Sequence, residues 1–118
     1  MPRYADGFLL AVPRRKLAAY RQMSRKAGRI WKEYGALEYI ECVGDDVKKK
    51  MGTSFTKVSR LKPGEVVVFS WILYKSRADR DRVNRKVMSD PRLNMDPQSM
   101  PFDMKRMTYG GFRVIVDL

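Results

Sequence analysis

The sequence predicts an α+β fold of the ferredoxin-like kind, a βαββαβ chain whose four-stranded antiparallel sheet carries both helices on one face. Three observations predict it. Stretches 4–12 and 65–74 alternate as long apolar strands, each is followed by a stretch of helical periodicity, and a shorter strand signal closes each half. At 118 residues with 44% hydrophobic content, one domain spanning 1–118 is expected.

The first strand, 4–12, places Phe8, Leu10 and Val12 on one side and Gly7, Leu9 and Ala11 on the other. Pro13 ends it. A helix over about 14–34 follows, with Leu17, Tyr20, Met23, Ala27, Ile30, Trp31 and Tyr34 as its core side and Arg14, Arg21, Arg25, Arg29 and Lys32 as an opposite basic stripe. Gly35 is its stop. A second strand is expected at 36–43, where Glu41 breaks the apolar alternation and suggests a sheet edge.

From 44 to 64 the pattern fades into a polar, lysine-rich stretch containing Lys48, Lys49 and Lys50, read as a mobile loop with a short strand near 53–58. Stretch 65–74 is the strongest strand signal, apolar on both faces except at Ser70. Ser76 and Asp79 open a second helix that runs to about Ser89, before Asp90 and Pro91. Its apolar side is thin, comprising Val83, Val87 and Met88, with Arg80 and Asn84 close enough to that stripe to point inward. A last strand is expected at 112–118, with a bulge or close backbone approach at Gly110 and Gly111.

Both central strands are apolar on both faces, which a bare sheet face would not tolerate in water, so a homodimer burying the helix-free face is expected. No apolar run reaches the roughly 20 residues of a membrane helix. No membrane partner is expected, and the composition suggests a cytoplasmic protein. The lone Cys42 excludes an internal disulfide and reads as a small buried apolar residue. With no histidine, Ser-His-Asp and Cys-His chemistry are excluded; no metal or other cofactor is expected. Lys and Arg number 25 against 13 Asp and Glu, a formal charge of +12 that attracts anions.

Stretch 100–112, Met-Pro-Phe-Asp-Met-Lys-Arg-Met-Thr-Tyr-Gly-Gly-Phe, concentrates polar chemistry between a loop and a strand. Together with Tyr4-Ala5-Asp6-Gly7-Phe8, Phe69-Ser70-Trp71, Arg80-Asp81 with Asn84, and Met88-Ser89-Asp90-Pro91-Arg92, it resembles the bacterial YbaA-like proteins, uncharacterised members of the dimeric α+β barrel superfamily. The resemblance spans nearly the whole chain. It implies the ferredoxin-like fold and a homodimer, and no activity. The chain departs from it in its basicity around Lys48, Lys49 and Lys50 and along the first helix, so those charges carry no family inference.

The expected ligand site gathers Arg80, Asn84, Asp103 and Arg106 as its polar groups, with Trp71 and Tyr109 as apolar walls beside Met88, Met95, Met100, Met104 and Met107. The competing reading makes Asp103 and Arg106 an ion pair that pins a loop, and Trp71 with Tyr74 part of a dimer core. The expected function is binding of a small molecule, an anionic one included, in a barrel cavity. The alternative is weak, non-specific nucleic-acid binding by the lysine run and the first-helix stripe. Stacking aromatics of RNA-binding domains with this topology belong on the third strand, whereas the similar Tyr109-Gly110-Gly111-Phe112 falls on the fourth.

Overall fold

The computed structural model describes residues 1–49, 51–93 and 96–118. Strand β1 (Tyr4–Pro13) leads through a 3₁₀ turn (Arg14–Lys16) into helix α1 (Leu17–Tyr34), then strand β2 (Glu38–Val43), a one-turn helix α2 (Phe55–Val58), strand β3 (Glu65–Tyr74), helix α3 (Arg77–Met88) and strand β4 (Thr108–Arg113). The sheet runs β2-β3-β1-β4 and every neighbouring pair is antiparallel. Apart from α2 this is the ferredoxin-like βαββαβ order.

Alternation in the two central strands decides which residues meet the helices. Leu10, Val12, Val66 and Val68 pack with Tyr20, while Ile72 and Tyr74 pack with Ile30, Trp31, Val83 and Val87. Gly35, at φ 122°, ends α1 in the left-handed region open to glycine. Ser76 starts α3, its hydroxyl accepting from the Asp79 N–H at 3.1 Å.

The other sheet face is partly clothed by the chain itself. Leu9, Ala11, Val67 and Leu73 are buried there, and the 44–64 connection supplies part of the cover: the Phe55 ring meets the Phe69 ring edge-on at 6.0 Å. Ile40, Phe69 and Phe112 remain exposed on that face. The short strand expected near 53–58 is instead α2. Ser54 caps it by accepting from the Lys57 N–H at 3.3 Å, a local bond that a strand would not provide. Cys42 is exposed rather than buried, since β2 is a sheet edge and its position faces away from the helices.

The last strand starts and ends earlier than the 112–118 expected. Gly110 and Gly111 pair in continuous register with Gly7 and Asp6, so no bulge forms. Gly111 provides clearance, because a Cβ there would lie 2.5 Å from the Tyr4 hydroxyl. The ladder fades after Arg113 because β1 starts at Tyr4; Val114 N–H still reaches the Arg3 carbonyl at 3.0 Å, and Pro2 has no N–H to offer beyond it.

Candidate functional site

Between the sheet and the helices lies a cavity of about 290 Å³. Phe8, Leu10, Ala27, Trp31 and Ile72 form its apolar floor and sides, and Met23, Met88, Met100, Met104 and Met107 complete the wall. Met95 lies outside the described residues. Unbranched thioether side chains adapt to irregular contours, so this wall can close around occupants of different shape.

One polar cluster stands on the α3 side. Asp6, only 1% exposed, projects from β1 toward the helices because it shares the parity of Phe8, Leu10 and Val12. Arg80 Nη1 donates to its Oδ1 at 2.8 Å and also to the Tyr109 hydroxyl at 3.0 Å. Arg80 Nε holds Asp81 at 2.8 Å, and the guanidinium carbon lies 4.8 Å from the centre of the Tyr4 ring. Trp31 Nε1 and the Tyr74 hydroxyl both donate to Asn84 Oδ1 at 3.0 Å, which turns the Asn84 amide nitrogen toward Asp6 Oδ2 at 3.4 Å.

Burial pushes the Asp6 carboxyl above its ordinary range, against the opposing pull of Arg80, Asn84, Tyr74 and Tyr109. Burial and the neighbouring Asp6 also push the Tyr74 and Tyr109 phenols upward, so both stay protonated as donors. The cluster draws on β1, β3, β4, α1 and α3, so the whole fold fixes its geometry. Among the described residues no buried side-chain polar atom lacks a partner.

A second cluster stands on the β2 side. Glu41 faces the helices and accepts from the Tyr20 hydroxyl at 2.5 Å, from the Ser24 hydroxyl, and from the Tyr39 hydroxyl at 3.3 Å. Burial and Glu41 raise the Tyr20 and Tyr39 phenols. Tyr20, Tyr39 and Glu41 also border an open groove of about 1240 Å³ between α1 and β2. The first-helix stripe runs along this groove, with Arg21, Arg25, Arg29 and Lys32 on its wall, rather than facing away from the sheet. Arg21, Arg25 and Arg29 form no ion pair among the described residues.

Of the six residues expected at the site, Asn84 and Tyr109 line the cavity, and Arg80 is tied to that wall from behind through Asp6 and Tyr109. Asp103 and Arg106 stand away from it, and Trp71 borders it while its side chain has outward parity. Asp103 is exposed and caps the turn Met104–Arg106, accepting from the Lys105 N–H at 3.0 Å. Arg106 grips Glu65 with Nη1 at 2.7 Å and Nη2 at 2.9 Å, and Nη2 also donates to the Arg60 carbonyl at 2.7 Å. The acid opposite Arg106 is therefore Glu65, at the start of β3, because Asp103 is spent on its own turn. Trp71 has the outward parity of β3; its indole N–H donates to Glu38 at 3.2 Å and its ring lies 5.8 Å from Phe69. Tyr74 has the opposite parity and faces the helices, so the two cannot share one wall.

Sequence reasoning missed Asp6 as a site residue and assigned Glu41 only an edge position. Both break the apolar alternation at a helix-facing position, which was the available signal.

With this geometry in view, comparison with known proteins places the chain. The family described as Protein of unknown function (DUF1428) matches residues 3–104. The chain belongs to the DUF1428 family. Within DUF1428 its relatives include the uncharacterised protein YbaA of Escherichia coli K12 and that of Shigella flexneri, each 50% identical over 115 residues and aligned over 98% of both chains. A solved structure of a dimeric ferredoxin-like protein from an uncultured marine organism aligns over 100% of both chains with a TM-score of 0.59 at 13% identity. That likeness shows the DUF1428 chain's fold. Among the described residues no helix is long and apolar enough to cross a membrane, and no group of three or more Cys, Asp or Glu side chains is arranged to hold a metal ion.

Proposed function

We propose that this protein binds a small, largely apolar, uncharged molecule in the cavity between sheet and helices, and that it does so as a homodimer joined through the helix-free sheet face. The observation that carries the reading is the buried Asp6 beside half-buried Asn84, held from behind by Arg80, at the wall of a methionine-lined cavity of about 290 Å³. That volume lies at the small end of ligand pockets, which run to roughly 300–1000 Å³ and combine apolar walls with a few placed polar groups. Arg80 is engaged by Asp6, Asp81 and Tyr109, and Glu41 adds a second carboxylate, so the lining favours a neutral occupant over an anion. The exposed Ile40, Phe69 and Phe112 support burial of the outer face by a second copy, as does the dimeric state of the marine ferredoxin-like protein. Untargeted mass spectrometry of small molecules carried through purification tests the ligand: an uncharged apolar compound at a fixed ratio to protein is expected, and only anions would count against it.

The groove between α1 and β2 favours one second reading. Arg21, Arg25 and Arg29 are spaced one helical turn apart, about 6 Å per step, with no ion pairs of their own among the described residues. Such a row suits phosphates of a nucleic-acid backbone held without base readout. Lys48 and Lys49 are exposed, with Lys49 3.5 Å from Asp46; Lys50 lies outside the described residues.

A further inference from the structure

Stretch 114–118, Val-Ile-Val-Asp-Leu, has the composition of a strand but lies outside the sheet, as β4 ends at Arg113. Ile115 is 84% exposed and Val116 70%, and Leu118 is fully exposed. Three exposed branched apolar side chains on one short stretch differ from the scattered single ones normal for a surface. The stretch is held beside the start of β1 by Arg3, whose Nε and Nη2 donate to Asp117 at 2.7 Å and 2.6 Å. That pair is exposed on both sides and so holds weakly.

Strand β2 presents the complementary deficit. As the sheet edge it pairs with β3 on one side only, leaving backbone donors and acceptors of Glu38–Val43 open on the other. Exposed Leu37, Ile40 and Val43 lie along that edge, and the cations of the α1 groove stand over it. An extended segment with branched apolar side chains and one acid matches this edge in backbone, burial and charge.

The chain's own segment is poorly placed to use it. Within one chain β4 and β2 are opposite edges, three strand spacings or about 14 Å apart, and the segment would cross β1 and β3 with its backbone unpaired. We propose that 114–118 is an exchanged arm that lies along the β2 edge of a second copy of this chain and extends that copy's sheet. The arm rests on the homodimer proposed above. It adds a strand-edge contact that packing of the outer faces alone does not require.

Cys42, exposed on β2 and the chain's single cysteine, serves as the reporter. Ile115→Cys and Val116→Cys would each be oxidised in the full chain, and the linked peptides mapped by mass spectrometry. The arm predicts covalent dimers joined between Cys42 of one copy and the introduced cysteine of the other, lost when Cys42→Ser is added. A chain ending at Arg113, followed by sedimentation, should associate at least tenfold more weakly than the full chain. A dimeric full chain that yields no Cys42 linkage, and whose truncated form associates equally well, would overturn the arm while leaving the dimer in place. Linkage within a single chain would also overturn it, by placing the segment over its own sheet. A monomeric full chain would remove both the arm and the dimer.

Discussion

Asp6 and Arg80, 74 positions apart in the chain, meet through a 2.8 Å bond that ties β1 to α3 where the carboxylate is 1% exposed. Burial raises the Asp6 carboxyl and Arg80 opposes that shift, so the pair stabilises little over an apolar substitute but is costly to break. Arg80→Met should therefore lower stability by about 3–5 kcal/mol at neutral pH, and adding Asp6→Asn should recover much of the loss. Without Arg80 the folded Asp6 pKa rises further above its unfolded value. Stability is then retained below the unfolded pKa and lost as pH climbs through the folded one, so the single variant's deficit should shrink toward pH 4 in denaturant titrations.

The Glu65 and Arg106 pair behaves in the opposite sense. The bidentate guanidinium lowers the Glu65 carboxyl from its usual 4.5 to about 2. A depressed carboxylate contributes stability above its unfolded pKa and loses it as pH falls through the folded one. The unfolding midpoint of the native chain should thus fall more steeply between pH 4.5 and 2 than that of Glu65→Gln. Parallel curves would mean the pair does not persist in solution.

Gly28 offers a test of packing against propensity. In a helix interior Gly→Ala ordinarily gains about 1 kcal/mol, but a Cβ here would sit 2.5 Å from Tyr39 Cδ1. Gly28→Ala should instead destabilise by about 1–3 kcal/mol through overpacking, and should weaken the Tyr39 contact with Glu41. A stabilised variant would mean that the Tyr39 ring gives way freely.

Strand parity made most of the fold legible in the sequence. The long alternations at 65–74 and at the start of the chain gave the central strands their places, and Ser76 marked the start of α3 within one residue. Arg80 and Asn84 were legible for the same reason, lying beside Val83 and Val87 on a helix with one thin apolar side. What the sequence left hidden was pairing between distant segments. Arg106 has Asp103 three residues away, yet it reaches Glu65, and only the fold brings those two together. Asp6 lies within the stretch read as the first strand, but its partners Arg80 and Asn84 come from α3, more than 70 positions away, so its role at the site showed only once β1 and α3 were packed.

The arginine row gives the groove its own outcome. Charge reversal at Arg21, Arg25 and Arg29 together should abolish fluorescence-anisotropy binding of single-stranded RNA or DNA and flatten its salt dependence. Binding that selects sequence and survives high salt would not come from phosphate contacts alone.

Occupancy of the cavity is the central claim, and thermal unfolding of the native chain beside Ala27→Phe tests it most directly, because residue 27 lines the cavity and the added ring fills it. Both proteins would be titrated with a panel of small uncharged aromatic compounds and alcohols, indole among them, and with matched carboxylates. The account predicts that at least one uncharged compound raises the native midpoint in a saturable way, as binding to the folded state requires, and that Ala27→Phe loses the response while remaining folded. No shift from any uncharged compound, or an equal shift in Ala27→Phe, would contradict it.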